Sequence, residues 1–177
     1  MRISGRFVDC TFRSEIEQER MERGILDEVV TYVTQGDRLL VFRHTEHTEA
    51  GIQVPAGTVR RGESLAAAAM REACEETGSA EAELDLGQLL GSDRIRGEEG
   101  RAIRRYFFHI EFTGASPNVW RHFEIDPSGG VPVPIEFEFS WVSFPSGVPE
   151  WAGEQGAMLS RVGIAGREGG RASRETT

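Results

Sequence analysis

The sequence predicts an α/β (α+β) domain, a mixed β-sheet with helix packed on it. Three observations carry this. β-rich runs stand on both sides of one strong helix. The run Ile135 to Phe144 alternates strictly, with Ile135, Phe137, Phe139 and Trp141 on one face and Glu136, Glu138 and Ser140 on the other. The segment 65–77, rich in alanine and glutamate, has the composition of a helix and no strand character.

Residues 1–26 are mixed and charged and read as an N-terminal extension, with a short polar helix expected over Arg13–Arg23. The domain proper is expected over 27–162. VVTYVT (29–34) and RLLVFR (38–43) flank Gln35-Gly36-Asp37 and read as a hairpin. HTEHTEA (44–50) is a polar loop, GIQVP (51–55) a short strand closed by Pro55, and AGTVRRGES (56–64) a loop. Helix 65–77 follows, with Ser64 as N-cap and Gly78 as the residue that ends it. LDLGQLLGS (84–92) reads as strand and turn, DRIRGEEGR (93–101) as a charged loop and IRRYFFHIEF (103–112) as a strand. SPNVWRHFEIDPSGG (116–130) reads as a loop, and 149–162 as a C-terminal helix. The tail 163–177 is expected to be disordered, because GREGGRASRETT offers no apolar anchor beyond alanine.

Composition narrows the function. The chain has 177 residues, 38% hydrophobic and 28% charged, the balance of a soluble globular protein. A net charge of -9 argues against broad binding to nucleic acid or an anionic membrane, although bound cations can invert the local field around a small anionic substrate. No apolar run approaches the roughly 18 residues of a membrane span, and the N-terminus lacks the apolar core of a signal peptide. Cys10 and Cys74 do not form a disulfide framework; two reduced thiols point to the cytoplasm.

The chemistry concentrates in Gly57 to Ser79, GTVRRGESLAAAAMREACEETGS. Glu72, Glu75 and Glu76 stand at i, i+3 and i+4 and share a helix face. Met70, Ala73 and Cys74 point to a core, and the small Ala66 and Ala67 allow close approach to a sheet. Crowded carboxylates repel, and hard oxygen donors of this kind suit Mg²⁺ or Mn²⁺. A solvated, metal-free helix face is the bland alternative.

The wider pattern decides between them. The stretch resembles the Nudix box, Gly-x5-Glu-x7-Arg-Glu-U-x-Glu-Glu-x-Gly-U with U aliphatic. Gly57, Glu63, Arg71, Glu72, Glu75, Glu76 and Gly78 all fall in register over 23 residues. Ala73 and Ser79 depart at the two U sites, which are packing positions, and Ala56 stands where a second glycine is usual, with its backbone carbonyl still available as a ligand.

The resemblance implies a Nudix α/β/α sandwich with a loop-helix-loop at 57–79. It also implies a Mg²⁺-dependent hydrolase, with Mn²⁺ as a substitute, that cleaves a phosphoanhydride bond in a nucleoside diphosphate-linked compound. Glu72 and Glu76 would be direct metal ligands, with Glu75 binding directly or through water and the Ala56 carbonyl completing that side. Arg71 would orient the carboxylates through Glu75 or Glu63. A base or further ligand outside the box falls first to Glu136 and Glu138, then to Glu111 and Glu124.

Other residues carry weaker signals. Arg94, Arg96, Arg101, Arg104 and Arg105 read as a solvated run, with phosphate clamping as the alternative. His44 and His47 read as a polar loop at a pocket mouth, Trp120 and His122 as pocket lining, and Tyr32, Phe42, Tyr106, Phe107 and Phe108 as core. The expected partner is a nucleotide-type small molecule, with membrane excluded, nucleic acid disfavoured and a homodimer compatible with the reading. A Nudix-fold module that binds nucleotides without catalysis is the competing function, but no box carboxylate is missing. Markers upstream and downstream of the box select no substrate, so nucleoside triphosphates, diphosphate sugars and capped RNA ends all fit, with long RNA disfavoured by the acidic net charge.

Overall fold

The computed structural model describes residues 25–97, 100–124, 134–151 and 154–163. The expected helix over Arg13–Arg23, Cys10 and nearly all of the tail lie outside the described residues.

The chain builds a mixed sheet from β1 (Leu26–Gln35), β2 (Arg38–His44), β3 (Ile52–Gln53), β4 (Ala56–Thr58), β5 (Leu84–Arg96), β6 (Ala102–Phe112), β7 (Val119–Glu124) and β8 (Ile135–Ser143). The helix α1 (Leu65–Thr77) is inserted between β4 and β5. The order across the sheet is β5-β6-β1-β2-β8-β7, with β3 on β2 and β4 on β1. The β1–β6 pair is parallel and the other named pairs are antiparallel.

The hairpin forms where expected, through Gly36 at φ 61°. Its strands pair only near the turn, Thr34 with Leu39 and Gln35 with Arg38. Beyond that they part. β1 then takes β4, with Val29 opposite Gly57 and Val30 opposite Ala56, while β2 takes β3. The split opens the sheet at the start of the box.

Alternation along the strands makes two cores. Val33, Leu40, Phe42, Phe137 and Phe139 pack with Ala73 of α1, and Val29 packs with Ala68 and Ala69. The other face carries Val30, Tyr32, Leu39, Val41 and Phe107 under Leu159 and Val162. Ala68, Ala69 and Ala73 of α1 are fully buried, so the helix backbone lies close on the sheet there, whereas Ala66 is half-buried and Ala67 exposed, so these two are not the alanines that approach the sheet.

Four expectations of secondary structure are corrected. The stretch 56–64 is not all loop: Ala56–Thr58 is a short strand paired to β1. The stretch 116–130 is not all loop: Val119–Glu124 is an edge strand paired to β8. The charged segment 93–101 is not all loop: β5 runs through it to Arg96, with register shifts around Leu89. The C-terminal helix over 149–162 is replaced, among the described residues, by a 3₁₀ turn at Leu159–Arg161. Gly153 and Gly156 each weaken a helix there by about 1 kcal/mol relative to alanine. Polar contacts to the sheet dock the segment instead. Tyr32 Oη donates to the Gln155 carbonyl (2.6 Å), and the Val54 amide donates to Gln155 Oε1 (2.9 Å).

Candidate active site

The box folds as loop, helix and cap. Glu63 folds the loop by accepting the Arg60 amide (2.9 Å), while its own amide donates to the Arg60 carbonyl (3.0 Å). Ser64 Oγ accepts the Ala67 amide (3.1 Å), a cap worth about 1 kcal/mol. At the other end Gly78 takes φ 74°, ψ 10° and its amide closes on the Cys74 carbonyl (3.0 Å). Only a residue tolerant of the left-handed region ends the helix this way.

Arg71 is the hub. Its guanidinium donates to both oxygens of Glu63 (2.7 and 2.9 Å), to Glu72 Oε1 (2.7 Å), to Glu75 Oε2 (3.0 Å) and to the Thr58 carbonyl (3.2 Å). Glu63 is held below its ordinary carboxylate range, first by the Arg71 hydrogen bonds. The arginine is in turn held cationic by Glu63, then by Glu72 and Glu75, against the cost of burial.

The three helix glutamates are not equivalent. Glu72 and Glu76, one turn apart, are 2% and 6% exposed, whereas the Glu75 side chain is 42% exposed and also meets Arg60 (3.3 Å). Burial pushes Glu72 up, opposed chiefly by Arg71. Its carboxylate occupies the space over Gly57, where a Cβ would lie 2.2–2.4 Å from its carbon and oxygens. Glycine at 57 therefore holds open the place where this carboxylate rests. Among the described residues no three acidic, histidine or cysteine side chains converge as a ready metal cluster, and Arg71 takes up part of the negative charge.

The strand glutamates are elsewhere. Phe137 and Phe139 face α1, so Glu136 and Glu138 face away from it. There Arg121 bonds Glu136 (3.2 Å) and Glu138 (3.3 Å), and Arg43 bonds Glu138 (2.5 Å), holding the Glu138 carboxyl low. Glu111 is exposed and lines a cavity of about 770 Å³ with Thr34, His109 and Leu159, at the end of β1 remote from the box. Glu124 stands opposite Ile135; its side chain lies outside the described residues.

The arginine run is divided. Arg105 is fully buried and forks onto Asp93 (3.1 and 2.9 Å) over the Phe107 ring, so it is not part of a solvated loop. Arg94 and Arg104 stand opposite each other across β5 and β6, and Arg101 is exposed. His44 packs edge-on to Phe137 (4.9 Å), and burial lowers its pKa; His47 meets Glu49 (3.3 Å). Trp120 and His122 reach α1 from β7. Trp120 Nε1 donates to the Thr77 carbonyl (3.1 Å), and His122 Nε2 lies 3.1 Å from the Glu75 carbonyl.

Glu28 also borders the site, although no motif in the sequence marks it. It stands on β1 opposite Thr58, beside the box loop. Burial raises its pKa, Arg105 opposes that, and Asp93 and Glu72 add to it. The available signal was a charged pair, Asp27-Glu28, leading directly into an apolar strand.

A cleft of about 650 Å³ runs beside α1, lined by Ala67, Met70, Arg71, Cys74, Glu75 and Leu86 among others. It touches the exposed side of the box, and the buried Glu72 and Glu76 do not line it.

Comparison with known proteins agrees with this geometry. Residues 26–145 match the NUDIX domain family. No curated protein matches the sequence. Solved structures with the same fold include the MutT protein of Methanosarcina mazei Go1, at 20% identity and TM-score 0.51, covering 84% of this chain and 97% of that one. The MutT NUDIX hydrolase of Burkholderia pseudomallei aligns at 19% identity and TM-score 0.52, over 78% of this chain and 96% of that one. A UDP-X diphosphatase aligns at 15% identity and TM-score 0.54, over 90% and 72%. With the box intact on its helix and the family matched across most of the chain, this protein belongs to the Nudix family and is a hydrolase of pyrophosphate bonds.

Proposed function

We propose that the chain hydrolyses the phosphoanhydride of a nucleoside diphosphate-linked compound, a nucleoside triphosphate or nucleotide sugar, with Mg²⁺ or Mn²⁺ as cofactor. The observation that carries the reading is the pair Glu72 and Glu76, buried one turn apart on the box helix. Two buried carboxylates are costly without a cation, and Arg71 contacts Glu72 from one side only. The donor set is all oxygen, as a hard divalent ion prefers. The space over Gly57, kept free of a Cβ, leaves the Glu72 carboxylate beside the backbone that begins at Ala56.

Glu72, Glu76 and the Ala56 carbonyl would hold the ion, with Glu75 at the exposed margin. When bound, the ion neutralises diphosphate charge and acidifies a water for attack at phosphorus. The protein's own part is orientation. Arg71 fixes Glu63, Glu72 and Glu75 in one array, so the carboxylates need no rearrangement as substrate arrives. Glu75 and Glu76 are the proposed catalytic carboxylates. The Arg43–Glu138–Arg121–Glu136 ladder supports a structural place for the two strand glutamates, since each is engaged on the far face. Among the described residues no helix is long and apolar enough to cross a membrane; the cytoplasm is the proposed setting.

Glu76→Gln tests the reading. It keeps size and removes one charge beside Glu72. Metal-free melting should hold or rise by a few tenths of a kcal/mol, about the scale of a like-charge helix pair. Turnover on a panel of nucleoside triphosphates and nucleotide sugars with Mg²⁺ should fall by about two to three orders of magnitude or more, the scale of losing one preorganised electrostatic group. Full turnover in this variant, or wild-type turnover indifferent to Mg²⁺ and Mn²⁺, would remove the metal centre.

A further inference from the structure

We infer that the edge strand β7 is a clamp on the box helix, and that Trp120 and His122 are positioning residues for its glutamates. A helix leaves its last four carbonyls without intrahelical donors. In α1 the Cys74 carbonyl takes the Gly78 amide, the Glu75 carbonyl meets His122 Nε2 (3.1 Å), and the Thr77 carbonyl takes Trp120 Nε1–H (3.1 Å). A carbonyl only accepts, so His122 carries its proton on Nε2. Residues 120 and 122 are alternate positions of one strand, so both donors leave the same face of β7.

Both donors are held in place. The Trp120 ring stacks on Phe139 at 5.2 Å and 15°. The His122 ring fills the space over Gly78, where a Cβ would lie 2.6 Å from Nδ1. Gly78 thus serves twice, by its left-handed backbone and by admitting the imidazole. The attachment falls in the turn that bears Glu75 and Glu76, where repulsion between carboxylates would otherwise favour fraying. Tying that turn to the sheet keeps Glu76 one turn above Glu72 in the register a shared cation requires. This last step rests on the proposed metal centre; the clamp itself does not.

Full-length wild type is compared with Trp120→Phe, His122→Phe and His122→Gln. Phenylalanine keeps a ring but no donor, while glutamine restores an N–H near the Nε2 position. Two readouts are taken on metal-free and Mn²⁺-titrated protein without substrate: hydrogen exchange of the amides in 73–78, and Mn²⁺ binding by electron paramagnetic resonance. Both phenylalanine variants should exchange faster in that turn and bind Mn²⁺ about tenfold more weakly, at the lower end of what residues supporting metal ligands contribute. His122→Gln should return to within about threefold of wild type in Mn²⁺ affinity, a small share of that loss. Unchanged exchange in both phenylalanine variants would overturn the clamp. Faster exchange with wild-type Mn²⁺ affinity would overturn the positioning role. If wild type itself bound no Mn²⁺, the metal centre and the positioning role would fall together, and the exchange data would still judge the clamp.

Discussion

At the scale of single residues, a position of the box that bears no side chain makes the sharpest demand. Gly57 lies in extended backbone, so its need is space and not torsion. A Cβ there would collide with the Glu72 carboxylate, the far end of a flexible side chain and not a wall of backbone. The collision can be relieved by moving that carboxylate. Gly57→Ala should therefore leave the melting temperature within about 3 °C of wild type, roughly 1 kcal/mol or less for a domain of this size. Turnover should fall about a hundredfold, because displacement of a catalytic group by an ångström is enough for that loss. Thermal melts and initial rates on the same preparation check it; a variant that melts much lower but retains its rate would mean that Gly57 serves folding alone.

Among elements, the loop and helix of the box are joined through Glu63 and Arg71. Arg71 holds the folded Glu63 below its ordinary value of 4.5. A depressed folded pKa gives stability that is present above the unfolded value and is lost as pH falls through the folded one. Glu63→Gln should be less stable than wild type at pH 7 by on the order of 1.5–3 kcal/mol, the scale of a hydrogen bond to a charged group. The difference should shrink as pH drops below 4.5 towards the folded value. Metal-free melts from neutral to acid pH measure this, and a gap that stays constant would show that the ion pair is not its source. The same element was the most legible in sequence. Ser64, Gly78 and the spacing of the glutamates are local signals, and local structure honours them. β7 was illegible because an edge strand needs no clean alternation. Val119 and Phe123 are 55% and 49% exposed, while Trp120 and His122 turn inward to a helix more than 40 residues earlier. The full length of β5 is hidden in sequence because Gly87 and Gly91 look like turns, whereas they accompany its register shifts. The outward direction of Glu136 and Glu138 was also beyond the sequence. Alternation separates them from the phenylalanines, but only the packing of Phe137 and Phe139 with Ala73 of α1 shows which face meets the box.

Over the whole molecule, the sheet separates chemistry from support. One face carries α1 and the box; the other is closed by the segment 154–163, packed through Leu159 and Val162. That segment has little regular structure, so it depends on polar ties that sequence periodicity does not register. Tyr32 is the central one. It is fully buried in β1, its hydroxyl donates to the Gln155 carbonyl (2.6 Å) and accepts the Met158 amide (3.2 Å), and burial pushes its pKa well above the ordinary phenol value. Tyr32→Phe keeps the ring and strands both backbone groups. Leaving these half-buried backbone groups unsatisfied costs at most the about 1–3 kcal/mol of a fully buried polar group, which corresponds to roughly 2–10 °C in melting temperature for a domain of this size. Below the transition the box is untouched, because Tyr32 faces away from α1, so turnover at 25 °C should stay within about twofold of wild type, the size of an effect near 0.4 kcal/mol. The pattern is the reverse of that expected for Gly57→Ala, which should lose rate and keep stability. Measuring melting temperature and rate on both variants tests the division directly: a rate loss in Tyr32→Phe comparable to that in Gly57→Ala would mean that the supporting layer reaches through the sheet to the box.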